Sequence, residues 1–220
     1  MPFADRTDAG RRLGARLAFL RGEDVVVLGL PRGGVPVAFE VARLIGAPLD
    51  VLLVAKIGVP RHPELAMGAV AEGGVRVVKE QVRQLVGVTP AEFEEVAARA
   101  VAQLDARIRT LRSGGGAPLL AGRTAVVVDD GMATGSTAKA AGRAVRDMGA
   151  ERVILGVPVA STEALVEVGA EMEVVCVEAP HRLTAVGQWY ADFTQVSDRE
   201  VIELLQRARS ERGEVTPERG

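Results

Sequence analysis

The chain has 220 residues, 48% apolar, 25% charged and 3% aromatic, with a formal net charge of −2. That length and balance suit one sizeable α/β domain, and a charge so near neutral makes no whole-chain case for nucleic-acid binding. The single cysteine, Cys176, excludes an internal disulfide, and no apolar run approaches the roughly 20 residues of a membrane span, so a cytoplasmic protein that binds neither nucleic acid nor membrane is expected.

Leu13, Leu17, Ala18 and Phe19 recur among charges and predict an amphipathic helix over about residues 6 to 21. Asp24 to Leu30 is Val-rich and reads as a buried strand. Pro31-Arg32-Gly33-Gly34 is a turn, Pro36 suits the first turn of a helix to about Ile45, and Gly46 stops it. Leu49 to Ala55 predicts a second buried strand. From Lys56 to Gly74 six glycines and prolines punctuate the chain, which predicts a long irregular, mobile loop of functional character. Val75 to Val78 reads as a short strand. Thr89-Pro90-Ala91-Glu92 carries a cap, proline at N1 and an acid at N3, and opens a long helix to about Arg112. Ser113 to Ala117 reads as a Gly-rich linker.

Strand and helix then alternate: Thr124 to Val128, Thr137 to Met148, Arg152 to Val157, Thr162 to Val168 and Glu173 to Val177. Ala179 to Val196 is irregular and holds Trp189, Tyr190 and Phe193. Asp198 is the expected cap of a last helix to about Arg209, and the charged end from Glu211 is expected to fray. Five apolar runs joined by helices predict one α/β domain over residues 1–220, with a doubly wound, mainly parallel five-stranded sheet and helices on both faces.

Residues 126 to 137, Val-Val-Val-Asp-Asp-Gly-Met-Ala-Thr-Gly-Ser-Thr, carry the chemistry. Asp129 and Asp130 stand at a strand end, where an α/β sheet meets its ligands. Two adjacent carboxylates can accept from vicinal sugar hydroxyls. Gly131, Ala133 and Gly135 keep the backbone clear, and Thr134, Ser136 and Thr137 surround a helix start that favours an anion. An ordinary cap needs one such residue, not six in order. The ligand indicated is a sugar phosphate.

This segment resembles, without a gap, the phosphoribosyl-diphosphate signature of type I phosphoribosyltransferases: apolar residues, Asp-Asp, a short spacer, then Thr-Gly-x-Thr. The resemblance implies that Asp129 and Asp130 hold the ribose hydroxyls and that Ala133, Thr134, Gly135, Ser136 and Thr137 hold the 5′-phosphate. It makes Arg32-Gly33-Gly34 the diphosphate loop, with a cis peptide at Pro31–Arg32. Lys56 and Arg61 become candidates for stabilising the departing diphosphate. Ala55 to Leu65 and Gly187 to Tyr190 also resemble a bacterial subgroup of the family. A hood near residues 178–197 is implied, where Trp189 or Tyr190 would stack an unidentified base. Also implied are 5-phosphoribosyl 1-diphosphate as donor, Mg²⁺ carried mainly by substrate and water, possible contacts of that ion to Asp129 and Asp130, and a homodimer. The implied activity is transfer of phosphoribosyl to a nitrogenous base. The alternative is a non-catalytic regulator that binds nucleotide or donor with the same fold.

Overall fold

The computed structural model describes residues 2–60, 62–112 and 118–213, with only the backbone described for Pro63, Glu64, Gly73 and Val77. Helix α1 (Arg6–Arg16) starts at Asp5, whose side chain accepts from the Asp8 amide, and a 3-10 turn at Ala18–Leu20 completes the stretch predicted as one helix. Strand β1 (Val25–Gly29) is buried throughout, as a parallel strand covered on both faces must be. α2 (Gly34–Ile45) ends at Gly46, whose φ of 76° is the left-handed stop that glycine adopts without penalty.

The apolar run Leu49 to Ala55 is not one strand. β2 (Leu49–Val51) joins β1, and β3 (Val54–Val59) begins a second sheet. An unbroken apolar run carries no period that marks where the chain changes sheets. The predicted irregular loop is corrected further: β3 pairs antiparallel with β4 (His62–Ala71), and β4 with β5 (Arg76–Val78). Its Gly58 sits at register shifts on either side, and Pro60 lies at the hairpin end. These residues resemble loop punctuation but belong to a bulged hairpin. β5 falls where the short strand was expected. Arg61 lies outside the described residues.

α3 (Glu80–Leu85) was not anticipated. α4 (Pro90–Arg112) opens on the expected capping box: Thr89 donates from its amide and Oγ1 to Glu92 Oε2 at 2.9 and 2.8 Å. The expected linker over 113–117 lies outside the described residues. Then follow β6 (Thr124–Val128), α5 (Ser136–Asp147), β7 (Arg152–Val159), α6 (Thr162–Gly169), β8 (Glu173–Glu178) and α7 (Asp198–Glu211). The cap of α7 is Ser197, whose hydroxyl accepts from the Glu200 amide, and Asp198 is the first helical residue.

The main sheet is parallel throughout, in the order β2-β1-β6-β7-β8. Alternate residues point to opposite faces. Val25, Val27 and Val126 pack with Leu13, Val37 and Val201 on one side, and Val26, Val127 and Leu155 with Ala138, Val145 and Ala164 on the other. The order reverses between β1 and β6, and ligands of such sheets bind outside the carboxyl ends of strands at that point. The small antiparallel sheet packs on α4 and α5. Among the described residues no helix is long and apolar enough to cross a membrane.

A buried arginine joins the two sheets. Arg112, 2% exposed at the end of α4, pairs with Glu72 just beyond β4, reaches Asp50 of β2 at 3.2 Å, and donates to the Val51 carbonyl at 2.8 Å.

Candidate functional site

The pairing Gly29↔Val128 places the ends of β1 and β6 side by side, and the Leu30 amide donates to the Val128 carbonyl at 2.8 Å. Both candidate loops therefore leave from the switch point. The Pro31–Arg32 peptide is cis, as the resemblance implied. The glycines that follow permit contact between the loops. A Cβ on Gly34 would lie 2.5 Å from the Val128 carbonyl oxygen, and one on Gly33 would lie 2.0 Å from Asp130 Oδ2. The obstacle at Gly34 is backbone and cannot rotate away. Gly34→Ala is expected to cost about 1–3 kcal/mol through overpacking and to push the loops apart. A urea melt measures the first effect, and a melt superimposable on wild type would contradict this geometry.

The acids are half-buried, and one oxygen of each is engaged. Asp129 Oδ1 accepts from the Asp130 amide at 2.9 Å, and Asp130 Oδ2 accepts from Arg6 Nε at 2.9 Å, with Arg6 Nη2 also at 2.9 Å. The remaining oxygen of each has no protein partner among the described residues. No buried side-chain polar atom there lacks a partner, so both oxygens reach water. Removal from water holds the Asp129 carboxyl well above the usual carboxylate range, and the neighbouring Asp130 charge adds to this. Burial also raises Asp130, opposed by the Arg6 guanidinium. The arrangement offers two acceptors for a vicinal diol and a charge that a ligand must stabilise.

The loop after the acids is tied on its outer side. The Met132 amide donates to the Val159 carbonyl at 2.8 Å, and Ser161 Oγ donates to the Ala133 carbonyl at 2.9 Å. Gly135 has φ 71° and starts α5 without any side-chain cap, so the first-turn amides keep no capping partner. A cavity of about 210 Å³ lies over Asp129 and residues 131–138. Its size and free donors suit a phosphate with part of its sugar.

The antiparallel sheet brings two lysines to the same helix start. Lys56 and Lys79 line a cleft with Ser136 and Thr137, and Lys79 Nζ donates to Ser136 Oγ at 2.9 Å. Lys56 thus stands beside the predicted phosphate loop. Lys79 did not emerge as a candidate from the sequence, where its only signal is that the chain has three lysines. The third, Lys139, pairs with Glu167 at 3.0 Å. Arg32 is half-buried in its loop, and its guanidinium makes no hydrogen bond or ion pair among the described residues.

Trp189 and Tyr190 form a small cluster with Phe3 and Val159. The Tyr190 ring lies 5.4 Å from Phe3 and 5.0 Å from Phe193, is 6% exposed, and donates its hydroxyl to the Asp130 carbonyl at 2.5 Å. Burial pushes that phenol above its ordinary range. Trp189 is half-buried, and its carbonyl accepts from the Phe3 amide at 2.7 Å. Arg6 was also missed, since nothing local marks an arginine whose partner is 124 positions away.

The profile of the phosphoribosyl transferase domain family matches residues 6–182. A protein of Mycobacterium tuberculosis H37Rv, provisionally named a phosphoribosyl transferase, is 51% identical over 207 residues, which are 94% of this chain and 47% of that protein. The chain thus spans about half the length of the curated relatives it matches. Among solved structures, the protein TT1426 from Thermus thermophilus superposes with a TM-score of 0.83 at 44% identity, covering 94% of this chain and 99% of that one.

Proposed function

We propose that this chain, which belongs to the phosphoribosyl transferase domain family, binds 5-phosphoribosyl 1-diphosphate and transfers its phosphoribosyl group to a nitrogenous base. The observation that carries this reading is the pair of free carboxylate oxygens on Asp129 and Asp130 beside the uncapped start of α5. Those oxygens accept from the ribose 2′- and 3′-hydroxyls. Ala133 through Thr137 take the 5′-phosphate on backbone amides and hydroxyls. Arg32, Gly33 and Gly34, one strand away, take the diphosphate, with charge from Arg32 and close approach at the glycines.

In the reaction the bond from C1 to the diphosphate oxygen breaks, and its electron pair leaves with diphosphate. The acceptor nitrogen then forms the C1–N bond from its lone pair, and its proton passes to water or to the departing diphosphate. Positive charge on the ribose ring is favoured by the acids, and the leaving anion by Arg32 and by lysines carried on the antiparallel sheet. The aromatic segment acts as a hood, with Trp189 at the base and Tyr190 holding the Asp130 backbone. Mg²⁺ fits here as a substrate-borne ion. Among the described residues no three His, Cys, Asp or Glu gather, whereas this ion takes one or two carboxylates with phosphate oxygens and water. When bound it would neutralise diphosphate charge, with Asp129 and Asp130 as its protein contacts.

The test mixes protein, donor, Mg²⁺ and a panel of bases and assays diphosphate. Base-dependent release is expected. Tight donor binding without release would replace the enzyme by a binding protein. Lys56→Ala and Lys79→Ala should each weaken the donor by about tenfold, the worth of one charge-assisted hydrogen bond. Both side chains are exposed, so Tm should stay put. Calorimetric titration checks this, and unchanged affinity in both variants would remove the lysines from the site.

A further inference from the structure

We propose that Arg6 is a positioning residue that seats Asp130 for the donor and joins it mechanically to the aromatic segment over the acceptor side. The proposal rests on the reading of Asp129 and Asp130 as the ribose site. Two adjacent carboxylates at strand ends repel each other and are costly to take out of water. Among the described residues Arg6 is the cation that bonds either of them. It does so from the first turn of α1, a different part of the chain from both ligand loops.

The geometry is that of a junction. Nε and Nη2 of Arg6 both lie 2.9 Å from Asp130 Oδ2, which turns that oxygen toward Gly33 and leaves Oδ1 for a ligand. Nη1 donates to the Thr194 carbonyl at 2.8 Å, and the guanidinium stacks 3.9 Å from the Phe193 ring centre. The side chain is only 11% exposed, so it has little freedom to swing away. The backbone beside it is strapped to the same segment. The Ala191 amide donates to the Phe3 carbonyl at 2.8 Å, and the Asp192 amide to the Ala4 carbonyl at 2.9 Å. Tyr190, two residues earlier, holds the Asp130 carbonyl at 2.5 Å. Asp130 is therefore gripped by its side chain and by its main chain, and both grips are anchored in residues 190–194. A shift of that segment on acceptor binding would be felt at the acid through Arg6 and Tyr190. The groups that face Asp130 are Arg6, Asp129 and Tyr190, with Asp192 acting on Arg6.

The experiment is a cycle of Arg6→Gln, Arg6→Lys, Asp130→Asn and the Arg6→Gln/Asp130→Asn double variant. Affinity for 5-phosphoribosyl 1-diphosphate with Mg²⁺ is titrated at neutral pH, and Tm is recorded for each protein. Arg6→Gln is expected to weaken the donor roughly 10- to 100-fold, as loss of a charged hydrogen-bond partner does. Arg6→Lys should restore part of the affinity. In the Asp130→Asn background, Arg6→Gln should cost little more. Additive losses, or an Arg6→Lys variant as weak as Arg6→Gln, would overturn the proposal. If wild type binds no donor, the proposed function fails by itself. The Tm cycle then decides the Arg6–Asp130 coupling: non-additivity upholds it and additivity ends it.

Discussion

Asp129→Asn combined with Asp130→Asn is expected to weaken donor binding by about 10²–10⁴-fold, while Asp129→Asn alone makes the unliganded protein more stable. The first effect follows from the free oxygen on each acid. A hydrogen bond to a charged group is worth about 1.5–3 kcal/mol, and two hydroxyls lose such partners together. The second follows from burial. The folded carboxyl of Asp129 titrates above its unfolded value because it is removed from water and faces Asp130. Between those two values the folded chain holds the proton more tightly than the unfolded one, so stability falls as pH rises through the window and stays reduced above it. An asparagine at position 129 lacks this dependence and retains an oxygen to accept from the Asp130 amide. At neutral pH the variant is therefore expected to melt above wild type. Below the window the two proteins should converge. Melts from pH 4 to 8 with a donor titration measure both effects. Undiminished affinity in the double variant would remove the ribose assignment, and a lower Tm for Asp129→Asn at pH 7 would contradict the electrostatic account. Such a trade of stability for binding is common at functional sites.

Arg112→Met should destabilise the fold by about 3–5 kcal/mol, the cost of leaving buried charge without its partner. For this length that is on the order of 6–20 °C in Tm. Removing the guanidinium leaves Glu72 and Asp50 near one another with no cation, and it orphans the Val51 carbonyl of its side-chain donor. Adding Glu72→Leu should recover much of the loss, since an apolar replacement of a buried pair is often neutral. The tie also positions the site. The Glu72 amide donates to the Leu53 carbonyl at 3.0 Å, where the antiparallel sheet departs from the main one. That departure sets where Lys56 and Lys79 arrive beside Ser136. Arg112→Met should therefore also weaken the donor at temperatures where the variant is folded. A Tm within about 2 °C of wild type, the low end for a chain of this size, would mean that the network contributes little.

Local sequence already determined four of the five parallel strands, because each is an apolar run short enough to be a strand and bounded by turn residues, whereas the run from Leu49 merged β2 with the start of β3. It determined the Asp129–Thr137 segment and the glycines at 33 and 34 for the same reason: the chemistry of a strand end and a helix start is decided within a few residues. It also singled out Lys56 to Gly74, although that stretch is a bulged antiparallel sheet rather than an irregular loop. Glycine and proline in series carry the same pattern in both. The tertiary structure decided what neighbours in sequence cannot. It put the two loops at adjacent strand ends, gave Asp130 its arginine from 124 positions away, and brought Lys79 to Ser136 across 57. It turned the Tyr190 hydroxyl inward to the Asp130 backbone. The order in which strands pair and the way helices cross the sheet bring these distant residues together. A charge is neutralised by whichever group the packing sets beside it, so the sequence determined the site's chemistry and the fold decided its partners.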